Sequence, residues 1–118
     1  MHISIEQWNR WHIVAIEGSF LLRNLTELHR ELDPIAQTPG AQVLFDLQET
    51  DIIDSSGVAF IIRFDAALKV NNGILAICGA NDDIRMVLSV LGIEAELESY
   101  SDREAFMQRF LNPDYPEV

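Results

Sequence analysis

The chain has one cysteine, only eight basic residues and no apolar run near the ~20 residues that a membrane-spanning helix needs. A single cysteine, Cys78, excludes an internal disulfide. It lies in the apolar run from Ile74 to Cys78 and reads as a small core residue. The shortage of bases leaves 19 acidic residues unbalanced, for a net charge of -11. Such a surface repels the phosphates of nucleic acid and of anionic lipid head groups. It suits a basic protein partner, or it simply keeps a small protein soluble. The segment Met1-His2-Ile3-Ser4-Ile5-Glu6 lacks a basic stretch followed by an apolar one, so no signal peptide and a cytoplasmic location are expected.

The residues that catalysis uses are also sparse. The three histidines, His2, His12 and His29, fall on the first strands and the first helix, and no spacing brings one to a candidate nucleophile. There is no Gly-x-Ser-x-Gly, no phosphate-cradling glycine loop with lysine and no metal-ligand pattern. The sequence therefore implies no enzyme and no cofactor. Asp46, Glu49, Asp51 and Asp54 have the chemistry to hold a cation, but a solvated acidic rim explains them with less.

What is present is a 118-residue chain, 48% hydrophobic, enough for one domain with a real core. It is organised around the stretch from Val43 to Gly57. Val43–Leu47 is a short apolar run of the kind that forms a buried strand. The run beginning at Val58 is too long for a strand and has the Ala and Leu content of a helix, expected from Ser55 or Ser56 to about Val70. Between them stands Asp54-Ser55-Ser56-Gly57. Asp and Ser are N-cap residues, so the motif places two hydroxyls at the positive end of a buried helix, where N–H donors and the helix dipole favour a phosphate. Gly57 either lets a partner backbone come close or lets the helix start without crowding.

The remaining elements follow from periodicity and capping. Ile3–Glu17 reads as a hairpin turning at Asn9-Arg10, with Ile3 opposite Ile16, Ile5 opposite Val14 and Gln7 opposite His12 on the core face. Asn suits the positive φ of such a turn, whereas Arg stands where Gly is preferred. Trp8 and Trp11, on the other face, are either packing or a binding surface. Gly18–Leu21 is expected as a loop, and Asn24 as the cap of a helix carrying Leu25, Leu28 and Leu32. Pro34 should interrupt that helix near Asp33 or start a further turn.

Gln48–Ile53 is expected as a connection and Ile74–Cys78 as a buried strand. Asn81 or Asp82 should cap a helix whose inner stripe is Ile84, Val87, Leu88 and Leu91. Glu94–Glu98 reads as a short edge strand. Ser101-Asp102-Arg103-Glu104 reads as a capping box before a last helix with Phe106, Phe110 and Leu111 inward. Strands alternating with helices behind an amino-terminal hairpin argue for an α/β domain with a mixed central sheet and flanking helices. That domain is expected over residues 1–111, with Asn112–Val118 as a loose tail.

Asp54-Ser55-Ser56-Gly57, after a strand holding Asp46-Leu47 and before an apolar helix, resembles the signature of STAS-domain anti-sigma factor antagonists of bacteria. Leu88-Ser89-Val90-Leu91-Gly92-Ile93 is similar to that family's hydrophobic helix ending in Gly and an aliphatic residue. The resemblance covers most of the chain. It implies a STAS-like mixed central sheet and a non-enzymatic partner switch. Ser56, the second serine, would be the phosphoacceptor, with Ser55 the alternative, and the motif from Asp54 to Gly57 the docking site. The implied partners are an anti-sigma factor-like serine kinase, bound when Ser56 is unmodified, and a PP2C-type phosphatase. A constitutive STAS adaptor subunit of a transporter or other complex is the rival. The family's Gly-x-aromatic/aliphatic-Asp has Leu21 in place of the Asp here.

Overall fold

The computed structural model describes residues 1–111, so the expectation for Asn112–Val118 lies outside the described residues. In chain order the elements are β1 (His2–Trp8), β2 (Trp11–Phe20), a 3-10 turn (Leu22–Asn24), α1 (Leu25–Ala36), β3 (Gln42–Asp46), β4 (Thr50–Ile53) and α2 (Ser55–Val70). Then come β5 (Ile74–Cys78), α3 (Asp82–Val90), a second 3-10 turn (Glu94–Glu96), β6 (Glu98–Tyr100) and α4 (Arg103–Leu111). The sheet has the order β1-β2-β3-β5-β6, with β4 joined to β2. Among the described residues only β1 runs antiparallel to its neighbour; every other pairing is parallel. This is the mixed sheet with flanking helices that the pattern implied.

The hairpin register is the expected one, Ile3 on Ile16, Ile5 on Val14 and Gln7 on His12. The turn resolves its awkward arginine: Asn9 alone takes a positive φ, 53°, and Arg10 does not. A turn with only its first central residue left-handed needs no glycine at the second. The expectation of a single core face needs correction. Ile5 and Gln7 are exposed, while Trp11 and Ile13 on the opposite face are buried.

Both faces of the sheet are covered, and this decides the role of the tryptophans. Helices α1, α2 and α3 pack on one face, over Val14, Ile16, Val43, Phe45, Leu75 and Ile77. Phe64 stacks on Phe45 with ring centroids 5.0 Å apart. Among the described residues, helix α4 packs on the other face, where Phe106 meets Trp11 edge-on at 4.8 Å and Trp8 at 5.9 Å. The Trp pair is packing. Burial, and then the neighbouring Asp46, push the Cys78 thiol up to about 12, so it stays protonated as a core side chain.

Other elements depart from expectation for local reasons. β2 runs on through Gly18–Phe20 instead of entering a loop, because β4 pairs with that half of it in parallel. Gln48–Ile53 therefore ends in a strand. Pro34 does not break α1. It sits in the last turn, where Gln37 N–H still reaches Asp33 O at 3.1 Å and Thr38 Oγ1 donates to Pro34 O at 2.9 Å. Asn24 does not cap α1; its side chain accepts from Leu21 N–H at 3.2 Å.

At the far end, Leu91 and Leu111 are exposed, not inward, and Ile93 and Leu97 fill the core position expected of Leu91. The edge strand begins at Glu98, after a 3-10 turn. Asp102, not Ser101, caps α4, accepting Ala105 N–H at 2.7 Å. Arg103 then ties α4 to the sheet: its Nε donates to the buried Asp46 Oδ2 at 3.0 Å, Nη2 forms an ion pair with the same oxygen at 2.9 Å, and Nη1 pairs with Glu6.

Candidate functional site

β4 delivers the chain to Asp54, which is extended (φ -102°, ψ -178°), and α2 starts at Ser55. Asp54 is an N-cap in the full sense. Its Oδ1 accepts Gly57 N–H at 2.9 Å, and its backbone carbonyl accepts Val58 N–H at 3.0 Å. The same carboxylate does a second job: Oδ2 accepts Leu22 N–H at 3.0 Å, across 32 residues of chain. Asp54 N–H in turn donates to Phe20 O at 3.3 Å. The Gly57 N–H first, and the Leu22 N–H next, hold the Asp54 carboxyl below its ordinary value, so it is ionised at neutral pH.

Gly57 has a packing reason to be glycine. A Cβ there would lie 2.4 Å from Phe20 O, 2.7 Å from Ile53 Cγ1 and 2.8 Å from Phe20 Cδ1. The residue is buried within the domain, so of the two readings of Gly57 the uncrowded helix start is the one with a structural basis. Ser55 is exposed and Ser56 half-buried, both in the first turn of α2. The motif thus comes together as one compact cap, with its two hydroxyls at the helix end.

The acidic residues do not form one cluster. Asp46 turns away to Arg103, while Glu49 and Asp51 are exposed near the motif end of the sheet. His29 spends its Nδ1 on Asp33 at 3.0 Å on α1. Cap residue Asn81 of α3 reaches β4, donating to Thr50 O at 3.3 Å and Asp51 O at 3.2 Å.

Two residues near the motif were missed by sequence reasoning. Leu22, held by Asp54, is 64% exposed, and Ile52, two residues before Asp54, is 55% exposed. The signal for Ile52 was the pair Ile52-Ile53: adjacent strand residues point to opposite faces, so one must face out. Further apolar side chains, Ile62 on α2 and Met86 and Val90 on α3, are also at the surface.

The family model described as "Mlab, STAS domain" matches residues 7–99. The chain belongs to the STAS-domain family. No curated protein sequence matches this STAS domain. Solved structures agree on its fold. An anti-sigma-factor antagonist (STAS) domain protein from Planctomyces limnophilus superposes with a TM-score of 0.83 at 16% identity, covering 93% of this chain and 98% of that one. The Bacillus cell fate determinant SpoIIAA, in its phosphorylated form, gives 0.69 at 13% identity over 91% and 98%. A sulfate transporter family protein from Wolinella succinogenes gives 0.73 at 20% identity over 87% and 88%. Among the described residues, no helix of this STAS domain is long and apolar enough to cross a membrane.

Proposed function

We propose that this STAS domain is a partner-switching regulator in the cytoplasm, resembling the anti-sigma factor antagonists, with Ser56 as its phosphoacceptor. In the unmodified state the motif end binds an anti-sigma factor-like serine kinase. That kinase transfers the γ-phosphoryl group of ATP to Ser56 Oγ: the O–P bond forms as the bond to ADP breaks, and the hydroxyl proton passes to a base on the kinase. A PP2C-type phosphatase reverses this with water, returning serine and inorganic phosphate. Both active sites belong to the partners, and this chain is their substrate.

The observation that carries this reading is the first turn of α2. Its two serines stand at a helix N-terminus, and Leu22, bonded through its N–H to Asp54, and Ile52, two residues before Asp54, carry exposed apolar side chains. Apolar surface next to a modifiable hydroxyl is what a switchable interface requires. Phosphorylation adds about -1.5 to -2 charge. At an interface, like charges ~4 Å apart repel by roughly 4 kcal/mol at an effective dielectric of about 20. A net penalty of about 3 kcal/mol weakens binding ~150-fold. Within the domain the helix terminus offsets part of the repulsion, by about 0.3–2 kcal/mol.

Exposure alone ranks Ser55 above Ser56, and the resemblance ranks them the other way. The test includes both. Partners co-purified from native cells are identified with wild type, and binding is then measured for Ser55→Ala, Ser56→Ala and Ser56→Asp, with phosphopeptide mass spectrometry on the native protein. Loss of the partner with Ser56→Asp and retention with both Ala variants supports the switch. Equal binding by Ser56→Ala and Ser56→Asp refutes it.

The fold likeness to a sulfate transporter family protein favours a second reading, a constitutive STAS adaptor subunit. It predicts a persistent transporter complex, indifferent to every change at Ser56.

A further inference from the structure

Asp54 links the motif to the turn that displays Leu22. Its two carboxylate oxygens are committed to different elements, Oδ1 to Gly57 N–H inside α2 and Oδ2 to Leu22 N–H in the preceding 3-10 turn. A phosphate on Ser56 would stand in the same first turn, two residues from the Asp54 carboxylate. Two anions that close repel, and the phosphate is dianionic.

The two ends of this link are not equally able to move. On the helix side, Gly57 is wedged under the Phe20 carbonyl, and Asp54 N–H is bonded to that same carbonyl. Phe20 and Val58 are buried. On the other side, the Leu22 side chain stands largely in solvent, and the turn around it is held by short-range bonds between Leu21 and Asn24 and from Leu25 N–H to Leu22 O. Segments with few buried contacts are the first to open.

We propose that Asp54 is a positioning residue that couples phosphorylation of Ser56 to the Leu21–Asn24 segment: the phosphate repels the carboxylate from the Leu22 N–H, and the turn that displays Leu22 lets go. The inference rests on Ser56 as the modified serine and deepens that reading. Modification then acts twice at the interface. It adds repelling charge, and it removes an ordered apolar contact from beside it.

The test is residue-resolved amide hydrogen exchange by NMR on the full chain, with no partner present. Wild type is compared with protein carrying phosphoserine at position 56, introduced during translation, and with Asp54→Asn and Asp54→Ala. Asn has one carbonyl oxygen and is as good an N-cap as Asp, so Asp54→Asn keeps the Gly57 cap and gives up the Leu22 bond without threatening the fold. The expected result is exchange of the Leu22 amide about tenfold faster or more in the phosphorylated protein and in Asp54→Asn, with the Val58 amide unchanged. Unchanged protection of Leu22 in the phosphorylated protein overturns the coupling, as does faster exchange spread over all of α2. The outcome is separable from the switch itself. A responsive Leu22 amide with a partner indifferent to Ser56 leaves the coupling standing and removes the switch. A silent Leu22 amide with a partner lost on phosphorylation does the reverse.

Discussion

Replacing Gly57 by alanine sets two sizeable effects against each other, and the structure says which wins. Alanine is favoured over glycine inside a helix by up to about 1 kcal/mol. Against that, the added methyl would meet the Phe20 carbonyl oxygen at 2.4 Å. Carbon atoms do not approach an oxygen much below about 3.0 Å, so the helix start must retreat by ~0.6 Å or more from a backbone atom in a close-packed core. The flexible escape is closed too, since Ile53 Cγ1 and Phe20 Cδ1 lie at 2.7 and 2.8 Å. Overpacking of this kind costs about 3 kcal/mol, which leaves a net loss of about 2 kcal/mol. For a domain of this size that is roughly 8 °C in Tm.

Equilibrium urea unfolding, followed by tryptophan fluorescence, measures it directly. The matched control is Gly92→Ala. Gly92 has φ +75° with nothing within 4 Å of a built Cβ, so it isolates the cost of a left-handed alanine, about 1 kcal/mol. Gly57→Ala should be clearly the worse of the two. If it unfolds within about 0.5 kcal/mol of wild type, well inside the range of an ordinary surface change, the packing account of Gly57 is wrong.

Two further outcomes follow from charge. Asp54→Ala should lower stability at pH 7 by about 1 kcal/mol, the usual value of an N-cap. Because folding depresses the Asp54 pKa, that contribution is complete above its ordinary value of 3.8 and fades as pH falls through the lower folded value; urea midpoints of variant and wild type should therefore converge in acid. Arg103→Ala strands the buried Asp46 carboxylate and should destabilise by about 3 kcal/mol. Arg103→Lys should recover only part of this, since one ammonium cannot reproduce the Nε and Nη2 pair on a single carboxylate; urea unfolding of the three proteins ranks them, and full rescue by Lys refutes the forked geometry.

The elements that could be read in advance are those whose signal is local. The hairpin register follows from alternation on either side of a two-residue turn, and β5 and α2 follow from their apolar runs and caps. β4 was not legible, because Thr50-Asp51-Ile52-Ile53 is short and only its outer two residues are buried. It is a strand because the far half of β2 offers it an edge, a fact that lies in another part of the chain. Leu91 failed for a similar reason. Helical spacing placed it on the inner stripe, but α3 ends at Val90 and the chain turns, so Ile93 takes the buried place.

At the site the contrast is the same. Asp54 as a cap is visible in four consecutive letters, whereas the crowding that requires Gly57 comes from Phe20, far back in the chain. The bond from Leu22 to Asp54 spans 32 residues and has no local trace. Nor does the diversion of Asp46 from the acidic rim to Arg103, which lies 57 residues away.

The parallel strands give the domain two unlike ends, and this bears on how it can be handled. Helices α2, α3 and α4 follow β4, β5 and β6, so their starts at Asp54, Asn81 and Asp102 gather at one rim of the sheet. Met1 lies beside Gly18 at that same rim, within 3.6 Å of where a Cβ on Gly18 would stand. A purification tag or fluorescent protein fused ahead of Met1 would crowd the motif and mimic the loss of binding that a phosphate is expected to cause. The turns at Asn9-Arg10 and Asn71-Asn72 occupy the opposite rim. A dye or an immobilising group placed there leaves the first turn of α2 open to whatever docks on it.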